Sequence, residues 1–403
     1  MASVPRGNAL VAQSGGPTAV INNSVVGVIH EALRYHEIEE IYGSLHGIRG
    51  ALVEEMIDLR KEDPSTILGL RDTPAMALRS VRLKLNENDM NRLVEVFKAH
   101  NIRYFFYIGG NDSQDTSYKV AKLAEQENYE LVAIGIPKTV DNDLLVTDHC
   151  PGYPSVARYT AISVMDASMD GEALQPVQII ECMGRDAGWI TASAAVAKFD
   201  ERSGPHLIYL PERPFDRDQF IEDIKAVKEE YGFCVVAASE GIRDKEGNLL
   251  AAGETRDEFG HVQLGGVGAV LQRLAEAATP YKVRYARASF LQRVSSACVS
   301  AIDREEAYRV GVEAVRAAMR GEHNKMVTIV RESTHPYRVS YGLTDLQNVA
   351  NAKRDMPDEF INEAGNYVTE AFVEWCRPLV GELPKFYRLE EHRIEKKLPH
   401  YDR

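Results

Sequence analysis

Six short, continuously apolar runs punctuate the first part of the chain, at 9–12, 104–108, 131–136, 177–180, 206–210 and 234–238. They are rich in β-branched and aromatic residues and do not alternate with polar ones, which predicts strands covered on both faces, as in a parallel sheet. Between and after them the apolar positions recur with helical period. Over 18–35, Ile21, Val25, Val28, Ile29 and Leu33 fall on one face, and the same kind of spacing predicts helices over 113–126, 155–169, 187–197, 219–230, 266–278, 305–320 and 364–375. Alternating strands and helices predict a doubly wound α/β fold. Folds of that kind bind ligands at the carboxyl ends of their strands, so the strand-to-helix loops are where chemistry is to be sought. The chain has no internal repeat and no low-complexity tract, and its mixed-charge run at 390–397 reads as a solvated surface segment.

Composition narrows the classes. The 403 residues carry 47 Lys and Arg against 60 Asp and Glu, a net charge of −13. A surface of that sign repels phosphodiester backbones, which argues against nucleic acid as a partner. No apolar run approaches the roughly 18 residues of a membrane-spanning helix, and the N-terminus lacks the apolar core of a signal peptide, so a cytoplasmic protein with no membrane partner is expected. Cysteines 150, 182, 234, 298 and 376 are odd in number and scattered without a C-x-x-C pair, as reduced, buried thiols are.

Three loops concentrate polar residues directly after apolar runs. In the first, Gly15 and Gly16 follow Gln13 and Ser14 and open the 18–35 helix. Main-chain N–H groups there could approach an anion at a helix N-terminus, though neither a P-loop Lys nor a G-x-G-x-x-G spacing is present. On its residues alone this loop fits a phosphate cradle and a plain tight turn equally. The second, Gly109-Gly110-Asn111-Asp112-Ser113, places two polar side chains where a magnesium–phosphate group could sit. Helix capping accounts for one of them and leaves the paired glycines unexplained. The third runs from Gly135 to Asp143 and packs Lys138, Thr139, Asp141 and Asp143 together. In an extended segment residues 139, 141 and 143 point the same way. A carboxylate in reach of a substrate hydroxyl can act as base, and a neighbouring lysine can neutralise a transferring phosphate.

These loops in this order, followed by Met183-Gly184-Arg185 after a further strand, resemble the phosphofructokinase family. The resemblance runs from Asn8 to about Arg293. Leu78-Arg79-Ser80-Val81-Arg82 is similar to the family's arginine segment that reaches the donor phosphates. Ser239-Glu240-Gly241 resembles its strand-end glutamate, and Arg284 with Gln292-Arg293 resembles the arginine pair on the sugar 6-phosphate. The resemblance implies two doubly wound, Rossmann-like domains, a donor domain over 1–152 with a returning segment at about 292–345, and a sugar-phosphate domain over 153–291. A C-terminal extension, 346–403, is expected to be helical. It also implies roles. Asp141 is the base for the C1 hydroxyl of fructose 6-phosphate, with Lys138, Thr139 and Arg185 as its catalytic neighbours. Gly15, Gly16, Arg82, Asp112 and Lys138 face the donor. Thr139, Asp141, Asp143, Met183, Gly184, Arg185, Glu240, Arg284, Phe290 and Arg293 hold the sugar phosphate, and Asn111 takes the magnesium-associated position. A homodimer or homotetramer is the family's habit.

Two positions bear on the donor. ATP users in the family carry glycine where this chain has Asp112 and again where it has Lys138, so both positions match the pyrophosphate-dependent branch. A carboxylate at 112 fills space and repels an α-phosphate, while an ammonium at 138 suits pyrophosphate. An ATP-dependent kinase and a non-catalytic sugar-phosphate sensor are the competing readings. The chain departs from the family pattern at Asn111, where many relatives have aspartate, at Phe290, which replaces a polar ring, and at Pro176, where many bacterial relatives place an arginine that reaches the neighbouring subunit's site. Asn can still coordinate a metal through its carbonyl oxygen.

Overall fold

The structure, a computed structural model, describes residues 4–81, 83–256, 262–264, 266–350 and 352–398. Its strands are β1 (Gly7–Gln13), β2 (Ile38–Ser44), β3 (Met56–Asp58), β4 (Ile102–Gly109), β5 (Val132–Pro137), β6 (Val177–Cys182), β7 (Leu207–Tyr209), β8 (Cys234–Ser239), β9 (Ala252–Arg256), β10 (Val262–Leu264), β11 (Val283–Arg287), β12 (Lys325–Thr334) and β13 (Tyr337–Asp345). One sheet has the order β13-β12-β5-β4-β1-β2-β3, with only β3 and β13 antiparallel to their neighbours. The second, β11-β6-β8-β7, is parallel throughout, and β9 and β10 form a separate hairpin.

The strand at the middle of the first sheet shows why its sequence is apolar without a break. Tyr104, Phe106 and Ile108 of β4 pack on one face with Val25, Val28 and Ile29 of the helix Ile21–Ala32 and Val310 and Val315 of the helix Ala301–Met319. Phe105 and Tyr107 pack on the other with Leu93 and Phe97 of the helix Glu87–Ala99 and Val120 and Ala124 of the helix Asn111–Gln126. Both faces bury apolar area, so neither set of alternate positions can be polar. Among the described residues no helix is long and apolar enough to cross a membrane. All five cysteines are free thiols, four of them buried.

The C-terminal part differs from the expected helical extension. Its one α-helix among the described residues, Glu370–Val380, begins and ends later than the predicted 364–375, because the apolar stripe Phe372, Val373, Cys376, Leu379 and Val380 continues past Trp375. Most of the rest has no regular secondary structure. Two strands the sequence patterning did not yield, β12 and β13, precede it as a hairpin joined to β5. The helix is no appendage. Trp375 lies 5.1 Å from Trp189 and 5.8 Å from Tyr153, centroid to centroid, and Phe372 lies 6.3 Å from Trp189, so it completes the core that covers the second sheet. Phe372→Ala, at a fully buried position, is expected to destabilise the fold by about 3–5 kcal/mol in chemical denaturation. A loss near zero would show the segment to be dispensable.

Candidate active site

The carboxyl ends of β1, β4 and β5, adjacent in the first sheet, face those of β6 and β8 in the second, and between them lies a cleft of about 360 Å³. It is lined by Gly15 and Gly16 after β1, Asn111 and Asp112 after β4, Lys138, Thr139, Asp141 and Asp143 after β5, Met183 and Arg185 after β6, and Glu240 after β8. Each loop leaves a strand whose register is fixed by burial on both sides, so these side chains are delivered by rigid supports.

The glycine loop and the lysine are built around each other. Gly15 has φ +77°, and a Cβ on it would stand 3.0 Å from Lys138 Nζ; one on Gly16 would stand 3.0 Å from Arg293 Nη1. Two cations thus approach bare backbone. Lys138 is 3% exposed and its Nζ donates to Gly16 O at 2.9 Å, which disposes of any solvent-facing role. Burial, with help from Arg293, pulls its ammonium down to about 8 against the opposing pull of Asp141 and Asp143. Gly109 is needed for a different reason: a Cβ there would strike Ser113 Oγ, which packs into the start of the Asn111–Gln126 helix. The N-cap of that helix is Gly110 and no side chain caps it, so capping accounts for neither Asn111 nor Asp112. Asp112 stands exposed in its first turn.

The loop after β5 is a turn, not an extended run. Asn142 has φ +55° and is fully buried, its side-chain oxygen accepting from Cys150 N–H at 2.9 Å. Thr139, Asp141 and Asp143 converge on the cleft through that bend rather than by strand alternation. Asp141 N–H donates to Thr139 Oγ1 at 3.1 Å, which fixes the backbone that carries the Asp141 carboxyl. Burial first, then Asp143 and Glu240, raise Asp141 to about 7, while Lys138 opposes the rise. Asp143 is raised as well, mainly by burial. Asn111 Nδ2 donates to Asp143 Oδ2 at 3.3 Å, and the Asn111 Oδ1 is buried with no partner.

Opposite, Gly184 N–H donates to Glu240 Oε1 and Met183 N–H donates to Gln292 Oε1, both at 3.3 Å, tying the β6 loop to Glu240 and to the segment that carries Arg293. Burial raises the Glu240 carboxyl. The Nε of Arg185 is buried with no hydrogen-bond acceptor, an opening for an anionic ligand.

Arg284 and Phe290, both expected at the site, are not brought to this cleft. Arg284 is the second residue of β11, paired with Gln178 near the amino end of its strand, and its side chain goes to Asp170 at 3.7 Å, 44% exposed. The strand's carboxyl end carries Arg287 instead, ion-paired with Glu181 at 2.9 Å. Phe290 is 60% exposed and does not line the cleft. Arg82 lies outside the described residues, although its neighbours Val81 and Leu83 line the cleft. Conversely, Lys353, Arg354 and Asp355 line the cleft from the C-terminal part, and Tyr107, Asp186 and Thr116 add to it. Asp186 could have been inferred from its place beside Arg185. Nothing in the irregular sequence around 353 marks it.

The description Phosphofructokinase belongs to the family model that matches residues 8–318. The pyrophosphate–fructose 6-phosphate 1-phosphotransferase of Rhodospirillum rubrum is 45% identical over 402 residues, covering 98% of this chain and 99% of its own; that of Halomonas elongata is 44% identical over 414 residues with the same coverage. A pyrophosphate-dependent phosphofructokinase of Marinobacter aquaeolei, solved by crystallography, superposes with a TM-score of 0.86 at 41% identity, covering 98% of both chains.

Proposed function

The chain belongs to the phosphofructokinase family, and from that premise we propose that it transfers a phosphoryl group reversibly from pyrophosphate to the C1 hydroxyl of fructose 6-phosphate, giving fructose 1,6-bisphosphate and phosphate. The observation that carries the donor half is Lys138, an ammonium buried against the glycine loop, where two bare backbone positions admit it and the Arg293 guanidinium beside the open space of the cleft. Asp112 stands beside that space and closes it to a nucleotide by charge.

In this reading Asp141 takes the C1 proton as that oxygen attacks the distal phosphorus of pyrophosphate; the new O–P bond forms as the bridging O–P bond breaks, and phosphate leaves. Thr139 fixes the Asp141 loop, Arg185 meets the charge of the transferring group, and Lys138 meets the departing phosphate. Met183, Glu240 and Arg293 hold the sugar phosphate. Such a reaction depends on alignment and charge neutralisation more than on covalent chemistry. The oxygen set at Asn111 and Asp143 suits magnesium, a hard cation that binds through few protein ligands and substrate phosphates, and the unpartnered Asn111 Oδ1 is the atom such an ion would use. Bound there, magnesium would neutralise the phosphates. We place the enzyme in the cytoplasm, in keeping with its free thiols, and as a homodimer or homotetramer, for which sedimentation is the check.

Phosphorus NMR of the protein with magnesium, pyrophosphate and fructose 6-phosphate should show loss of pyrophosphate with matched growth of phosphate and a sugar bisphosphate. No change would exclude the reaction. The acid–base assignments set a further expectation. Asp141 must be unprotonated and Lys138 protonated, so kcat/KM should rise through pH about 7 and fall again above about 8. A rate flat across that range would remove Asp141 from the role of base.

A further inference from the structure

We propose that Lys353, on the C-terminal segment beyond the stretch matched by the family model, binds the transferring phosphoryl group of pyrophosphate, leaving Asp186 to do so; this rests on the pyrophosphate reading above. The segment that carries it has no regular secondary structure, yet it is pinned on both sides of the cleft. Arg354 N–H donates to Asp143 O at 2.9 Å, so Lys353 adjoins a residue bonded directly to the loop of the proposed base. The Arg354 guanidinium donates to Thr147 O and Asp148 O, at 2.6 and 2.7 Å, and lies 4.4 Å over the Trp189 ring, while Met356 is buried in the core that covers the second sheet. Position 353 is therefore held by its neighbours and not by its own side chain.

The Lys353 ammonium meets Asp186 Oδ2 at 2.7 Å, with the two side chains 54% and 40% exposed. An ion pair so open to water contributes little and separates easily. Asp186 directly follows Arg185 in the loop after β6, so the ion pair brings the Lys353 ammonium to that loop, where Asp143 and Arg185 also act on it. Its net shift is upward, so it enters the reaction charged. The cleft needs such a charge. Asp112, Asp141, Asp143, Asp186, Glu240 and Asp355 line it, and a polyanionic donor and a sugar phosphate must enter beside them. A phosphoryl group offers more negative charge and more acceptor oxygens than the one carboxylate now occupying Lys353.

Lys353→Met, Lys353→Arg and Asp186→Asn separate a phosphate contact from a mere tether. Lys353→Met is expected to lower kcat/KM for pyrophosphate by about 30-fold or more while thermal unfolding barely moves, and Lys353→Arg to recover most of it. Asp186→Asn breaks the same ion pair but frees the ammonium, so pyrophosphate binding by calorimetry should hold or tighten. Lys353→Met within about threefold of wild type, or Asp186→Asn losing pyrophosphate affinity as far as Lys353→Met, would overturn the assignment. Wild-type protein without pyrophosphate turnover is a different outcome, and it overturns the functional reading on which Lys353 rests.

Discussion

Asp141→Asn will retain the fold and lose at least about 10³-fold in kcat, with KM for fructose 6-phosphate changed far less, because the amide keeps the size of the side chain but cannot accept the C1 proton. The side chain lies on a loop that follows β5, its backbone is held by Thr139, and its carboxyl is raised to about 7 by burial and by Asp143 and Glu240. The same substitution carries an independent signature. The carboxyl rises from 3.8 in the unfolded chain to about 7 in the folded one. Between those pH values the unfolded state releases a proton that the folded state keeps, so stability falls as pH rises, and above about 7 the fold carries the full cost of a buried charge. Removing the carboxyl should therefore raise the unfolding midpoint at pH about 8 and leave it unmoved at pH about 4. A variant both active and no more stable than wild type would contradict both the role and its cause.

The second large effect is at the donor site. Lys138→Gly is expected to reduce pyrophosphate turnover by at least about 10²-fold, since it removes the buried ammonium proposed to face the donor and leaves Asp141 and Asp143 without its compensating charge. Paired with Asp112→Gly it also clears the carboxylate that repels an α-phosphate, so the double variant should gain ATP turnover that neither parent nor single variant shows. Steady-state kinetics with both donors reads this directly. Wild-type pyrophosphate rates in the Lys138 variant would show that the ammonium is structural.

The parts of this site legible in the sequence are those where one strand delivers one loop. Gly15, Gly16, Asn111, Lys138, Asp141 and Glu240 each follow an apolar run, and the parallel fold alone gathers them. What escaped depends on relations between distant segments. The bond from Asn111 to Asp143, which leaves Asn111 Oδ1 unpartnered, joins two loops whose facing atoms no spacing reveals. Arg284 lies between Tyr281 and Arg287, and only strand register tells that 284 belongs to the amino end of β11 and 287 to the carboxyl end. The β12–β13 hairpin was hidden because many of its side chains are exposed or only half-buried, so it lacks the unbroken apolar run of the inner strands. Lys353 lies in irregular chain and owes its place to Arg354, Trp189 and Met356, contacts that exist only once the fold has closed.

The central claim, that a buried ammonium and a neighbouring carboxylate admit inorganic diphosphate and turn adenosine away, meets its most direct test in the wild-type protein. Initial rates of fructose 1,6-bisphosphate formation, measured with magnesium and fructose 6-phosphate at equal concentrations of pyrophosphate and of ATP, should be rapid with the first and near background with the second. Turnover with ATP and none with pyrophosphate would contradict it.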